Sequence, residues 1–165
     1  KAQREIDRLV NEARCQDTTN DAIPFLVQAE AAAKKAIGKR WEKLVGQFGD
    51  DPAGDAYLEV RLELAEALNA ADQREAALAH LEEIYRLDPA DPFQARILLL
   101  VNYLELDRTE SATKLLSADA TEPWAAWMFG RVLLALRRGE RGPATADALK
   151  AAQRLNPYVL SLLLN

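Results

Sequence analysis

An all-α stack of antiparallel helical hairpins is the fold class this sequence predicts. Three observations predict it. First, the stretch from Asp72 to Pro92, DQREAALAHLEEIYRLDPADP, reads as helix start, apolar face and stop. Asp72 and Glu75 stand at capping-box spacing. Ala77, Leu78, Leu81, Ile84 and Tyr85 follow at steps of three and four, and Pro89 halts the helix near Asp88. Second, the pattern recurs: Asp107 and Glu110 repeat the box, Ala112, Leu115 and Leu116 repeat the face, and Ala77 and Ala112 lie 35 residues apart. Third, charged residues make up 28% and hydrophobic ones 49%, while the seven Gly and seven Pro sit mostly at breaks, as suits a globular helical protein.

From the N-terminus, Gln3–Cys15 carries Ile6, Leu9, Val10 and Ala13 at helical spacing, and Asp17–Asn20 is a polar break. Asp21 is the expected cap of a second helix, with Pro24 in its first turn, running through Phe25, Leu26, Ala29, Ala32, Ala33 and Ile37 to Gly38. Trp41, Leu44, Val45 and Phe48 predict a short apolar helix, and Gly49–Gly54 reads as a loop. Three hairpins follow: Tyr57–Asn69 with Gln73–Leu87, Phe93–Leu106 with Thr109–Ser117, and Glu122–Arg137 with Pro143–Asn156. Pro143 suits a first helical position, and Pro157 ends the last helix. The apolar tail Tyr158–Leu164 is expected to cap the last hairpin or to contact another subunit. The expected organisation is one domain over 1–165. It comprises a capping or degenerate hairpin at 1–54, three hairpins at 55–157 and a tail at 158–165.

Composition narrows the function classes. A net charge of −5 and an acidic pI argue against nucleic acid or anionic membrane as the main partner. The longest aliphatic run, Ile97–Val101, is far short of a membrane span. No signal-peptide pattern is expected, and a cytoplasmic location is. The lone Cys15 excludes an intramolecular disulfide. His80, the one histidine, lies mid-helix with no second His to complete a metal site. Asp50, Asp51 and Asp55 lack calcium-loop spacing, and the adjacent Glu82 and Glu83 point apart on a helix. No phosphate-loop, zinc-protease or nucleophile-elbow motif occurs. No enzyme activity, cofactor or metal is therefore expected.

The hairpins resemble tetratricopeptide repeats, a family with a period of about 34 residues. The matching positions are Leu64, Ala65, Leu68, Ala77, Leu81, Ile84 and Pro89 in the first repeat. They are Leu99, Leu100, Tyr103, Ala112 and Leu116 in the second, and Phe129, Gly130, Leu133, Leu149, Ala152 and Pro157 in the third. Arg61 and Arg96 stand where the family has a bulky apolar residue, and Leu100 where it has a small one, which suggests altered packing. The pieces Ala36-Ile37-Gly38, Val45-Gly46-Gln47-Phe48, Asp88-Pro89-Ala90-Asp91, Ala125-Ala126-Trp127 and Asn156-Pro157-Tyr158-Val159 are similar to the suppression-of-tumorigenicity-seven group and its bacterial repeat relatives. Gln47 replaces that group's His.

The resemblance implies a right-handed superhelix whose first helices line a concave, partner-binding face. Carried over, that face presents Glu59, Leu62, Glu66 and Asn69, then Gln94, Ile97, Val101 and Leu104, then Trp124, Trp127, Arg131 and Leu134. Some relatives clamp C-terminal carboxylates with Lys, Asn and Arg. Leu62, Glu66, Ile97 and Val101 stand in those places, so an apolar or amphipathic helical segment fits better, with Arg131 reading one acidic residue. Trp124 and Trp127 are either groove anchors or core. The expected function is a scaffold for a protein or peptide partner. The alternatives are self-association as a homodimer through the tail, and a regulatory domain of a larger enzyme.

Overall fold

Side chains at three- and four-residue spacing coil into helices throughout the described residues, 2–118 and 124–159 of a computed structural model. The order is α1 (Ala2–Arg14), α2 (Thr19–Ile37), a 3-10 turn, α3 (Trp41–Leu44), a second 3-10 turn (Phe48–Asp50), α4 (Pro52–Ala70), α5 (Arg74–Leu87), α6 (Ala95–Glu105), α7 (Thr109–Ala118), α8 (Ala125–Arg137) and α9 (Pro143–Leu155). The protein is all-α. Where one domain is expected, the chain forms two compact units, Lys1–Asn102 and Tyr103–Asn165.

In the first unit α1 packs on α2, α2 on α4, and α4 on α5. Ala13, Leu26, Leu64, Leu68 and Ala77 form a buried cluster, with Val10, Ala22, Ile23, Phe25 and Ala67 packed around it. Each of α1, α2, α4 and α5 thus gives one stripe to a shared core. The N-cap of α2 is Thr18, not Asp21. The Asp21 amide donates to Thr18 Oγ1 at 3.2 Å, and the Thr18 hydroxyl donates back to Asp21 Oδ2 at 2.6 Å. Pro24 consequently lies inside the helix rather than in its first turn.

The segment expected as a loop, Gly49–Gly54, largely becomes the start of α4. Asp51 accepts from the Ala53 and Gly54 amides, and Pro52 takes the first helical position. Gly54 is required there by contact, because a Cβ would overlap the Phe48 carbonyl oxygen. Trp41, Phe48 and Tyr57 pack edge to face, with centroids 4.9 Å apart for Trp41–Phe48 and 5.0 Å for Trp41–Tyr57. The buried Asp88 accepts from the Gly49 amide at 2.6 Å, and the Gly46 amide donates to the Leu87 carbonyl at 2.7 Å. These bonds tie the turn after α3 to the end of α5.

The repeated Asp has a different task from the one its spacing suggests. Asp72 does not cap α5; Gln73 holds the N-cap position, with no side-chain capping bond. Asp72 instead ends α4 in the left-handed region at φ 59°. Its amide donates to Asn69, and the Gln73 amide donates back to Leu68 at 2.8 Å, the bond pair of a Schellman turn. Asp107, at φ 54°, repeats both bonds with Leu104 and Tyr103, and Gly139, at φ 81°, repeats them with Leu136 and Ala135. Short polar Asp tolerates this conformation better than most residues, and Gly does so without strain.

In the second unit α7 packs on α8 and α8 on α9. Arg137 donates to the Leu104 carbonyl at 2.7 Å and pairs with Asp107 at 3.0 Å. Helix α6 begins at Ala95, not Phe93, because Gln94 stands at φ 56° outside it. Of the segment expected to open the third hairpin, residues 122 and 123 lie outside the described residues, and Trp124 takes the N-cap position of α8. Tyr158, at the start of the apolar tail, is 75% exposed, and tail residues 160–164 lie outside the described residues.

Candidate binding groove

In the first unit, α1 and α4 line one cleft, and the end of α1, the turn after it, the start of α2 and α4 line an adjoining one. One, of 220 Å³, is lined by Gln3, Asp7, Asn11 and Glu59 over a floor that includes Ile6 and Val60. The other, of 410 Å³, is lined by Gln16, Thr19, Glu66 and Ala70. Arg14 and Glu63 line both. Arg14 Nε and Nη2 donate to the two Glu63 oxygens, each at 2.9 Å, a planar bidentate fork that spans the groove.

The periodicity of each helix builds this face. On α1, Ile6, Leu9 and Ala13 turn inward and are buried, which leaves Gln3, Asp7, Asn11 and Arg14 as an exposed polar stripe. On α4, Leu64 and Leu68 turn inward, and Glu59, Glu63 and Glu66 follow one another at steps of four and three. Glu59 and Glu66 are exposed and form no hydrogen bond or ion pair among the described residues. Of the residues nominated from sequence, these two line the clefts.

The other nominated residues are placed as follows. Leu62 is half-buried. Asn69 is half-buried too, and both its amide atoms are enclosed without a partner among the described residues. Gln94 is exposed but precedes α6, Ile97 and Leu104 are half-buried, and Val101 is 39% exposed. Trp124 is half-buried and meets Trp127 edge to face at 5.5 Å. Trp127 is fully buried, so it serves as core and is not presented to a partner. Leu134 is buried as well. Arg131 lines a separate cleft of 530 Å³ with Thr113, Ser117 and Arg138, and donates to the Leu116 carbonyl at 3.2 Å. The α1 stripe was missed, although its signal was legible: Gln3, Asp7, Asn11 and Arg14 stand at helical spacing opposite an apolar face.

The opposite flank of α4 holds a second group of charges. Arg61 fills the place where a bulky apolar residue is usual and donates to Glu30 of α2 and to the Tyr57 hydroxyl. The Tyr57 hydroxyl donates to Glu30 Oε1 at 3.1 Å, and Arg61 Nε reaches the His80 carbonyl at 3.4 Å. The side chains of Arg61 and Glu30 are only 14% and 17% exposed. Burial pushes the Tyr57 phenol up to about 12. It holds the His80 imidazole below its usual range, with Arg61 adding to the effect and Glu30 opposing it. His80 Nδ1 is enclosed without a hydrogen bond, 3.8 Å from Glu30 Oε1. The cluster joins α2, α4 and α5 through these largely buried side chains.

Cys15 is exposed and free. Among the described residues no group of His, Cys, Asp and Glu is arranged to hold a metal ion, and no helix is long and apolar enough to cross a membrane. Comparison with known proteins finds no family model, curated protein or solved structure that matches the chain.

Proposed function

We propose that the chain is a tetratricopeptide-like scaffold, with no catalytic step of its own, that holds a peptide segment of a partner protein against its first helices. The right-handed superhelix and a cytoplasmic site of action belong to this reading. One observation carries it: the open groove beside α1 and α4, with exposed carboxylates at Glu59 and Glu66 that make no hydrogen bond or ion pair among the described residues, although Glu59 lies within the field of Arg14. Side chains that are exposed, polar and unpaired contribute nothing to the core, so the groove can be occupied without unfolding it.

The test is site-specific photocrosslinking in native lysate. A photoreactive residue at Asn11, inside the groove, is compared with one at the exposed Ala31 on α2. Partner adducts from position 11 and not from position 31 support the reading. Adducts from position 31 alone, or from neither, refute it.

A second reading, self-association, is favoured by exposed apolar side chains in the second unit: Leu133, Leu136, Leu155 and Tyr158. Sedimentation equilibrium separates the two. A dimer that Leu136→Glu with Leu155→Glu dissociates supports self-association, and a monomer at all concentrations removes it.

A further inference from the structure

We propose that Glu30 works as a proton-operated latch: with His80 neutral it ties α2 to α4 through Arg61 and Tyr57, and with His80 protonated it ties α2 to α5 instead.

Three side chains converge on one carboxylate oxygen. Glu30 Oε1 accepts from the Arg61 guanidinium and, at 3.1 Å, from the Tyr57 hydroxyl, both on α4. The same oxygen lies 3.8 Å from Nδ1 of His80 on α5, too far for a hydrogen bond. That nitrogen is enclosed and has no partner among the described residues. A buried polar atom is ordinarily bonded, so an enclosed Nδ1 this close to a carboxylate is a contact left open. The His80 side chain is still 21% exposed, so the ring can take a proton from solvent.

Protonation closes the contact. The imidazolium bears an N–H on each nitrogen. A shift of about 1 Å then brings Nδ1 within bonding distance of Oε1, and a charge-assisted bond is the stronger kind. Arg61 and the imidazolium cannot both hold Glu30 without cost, because the site is largely buried and the two cations repel. Arg61 has another carboxylate to turn to. It already donates to the His80 carbonyl at 3.4 Å, and Glu83 of α5, paired with Arg86 at 2.6 Å, lies within the fields of Arg61 and of Lys34 on α2. His80 has no such choice, since the charges acting on it are Arg61 and Glu30. Burial, with Arg61 adding and Glu30 opposing, holds the ring below its usual range, so the latch throws on the acid side of 6.5. Glu30 stands one turn along α2 from Leu26, which lines the 410 Å³ cleft with Glu66 and Ala67 of α4. The α2–α4 seam that the latch holds is thus also a wall of that cleft.

NMR of the whole isotope-labelled chain tests this, from neutral pH down through the titration of His80. The chain has one histidine, so its ring signals stand alone. Far-UV circular dichroism is followed in parallel. As the ring titrates, nuclear Overhauser contacts between His80 Hε1 and the Glu30 side chain should grow several-fold. Those between Arg61 Hδ and the Glu30 side chain should weaken with the same midpoint. In His80→Gln the Arg61–Glu30 contacts should stay constant over that range. Tyr57→Phe removes a neutral competitor for Oε1 and should raise the His80 midpoint. Arg61–Glu30 contacts that hold while His80 titrates, an equal loss in His80→Gln, or a midpoint that Tyr57→Phe leaves unchanged or lowers overturns the latch. So does a His80 that takes its proton only as the helical signal collapses, since the proton then enters an unfolded chain.

Discussion

Helix α4 carries charge on two flanks, and the two are used differently. On one, the largely buried Arg61 packs with Glu30, Tyr57 and His80 among α2, α4 and α5. On the other, Glu59, Glu63 and Glu66 face an open groove, and only the middle carboxylate is paired. Residue type does not separate these flanks; burial and the number of partners do. A buried charge must be paired because the unpaired state is so costly, so its partners are part of the fold. An exposed charge costs little to leave alone, so the unpaired Glu59 and Glu66 can be kept for a partner.

The strongest way to break this comparison is Glu30→Gln. It strands the Arg61 guanidinium in a largely buried site and should cost the first unit about 3 kcal/mol, read from urea unfolding. A loss no larger than that of a surface substitution would mean the cluster does not brace the helices. Trp127→Ala, in the second unit, should cost on the order of 3–5 kcal/mol as a large-to-small core change. Near-wild-type stability would restore Trp127 to the surface.

Titration sharpens the buried flank. The His80 imidazole binds its proton less readily in the fold than in the unfolded chain, whose value is near 6.5. Its contribution is therefore complete above that value and is lost as pH falls below it. His80→Gln should flatten this acid limb. Tyr57 works in the opposite sense. Its folded value of about 12 lies above the ordinary 10.0, so stability is full below pH 10 and declines as pH rises through 12. Tyr57→Phe should remove that alkaline limb. Melting temperature against pH checks both.

The smallest expected effect concerns the turn that ends α4. Asp72→Gly should stabilise by roughly 0.5–1 kcal/mol, because Gly relieves the left-handed backbone that Asp holds under mild strain. Destabilisation would assign Asp72 a side-chain role beyond its 3.2 Å contact with Arg74.

Much of the fold was legible because periodicity is local. The faces Ile6–Leu9–Ala13 and Ala77–Leu81–Ile84 were read directly and are buried as expected. The Asp72 and Asp107 motif was seen to repeat, yet its task was misread. In a turn this short, the same residue can end one helix or start the next, and only the sign of φ decides. The Arg61–Glu30 pair joins residues 31 apart in sequence, a contact no local pattern encodes. The groove was half legible. Glu59 and Glu66 follow from the repeat pattern, but the α1 side does not, because residues 1–54 read as a degenerate repeat or a cap outside it.

The central claim is that charge on the two flanks of α4 has different work. Urea unfolding of Glu59→Gln with Glu66→Gln, beside Glu30→Gln, tests it most directly. The account predicts that the groove variant stays within about 0.5 kcal/mol of the parent or gains slightly from lost repulsion, while the buried variant loses about 3 kcal/mol. Equal losses would contradict it, since the groove carboxylates would then be holding the fold together.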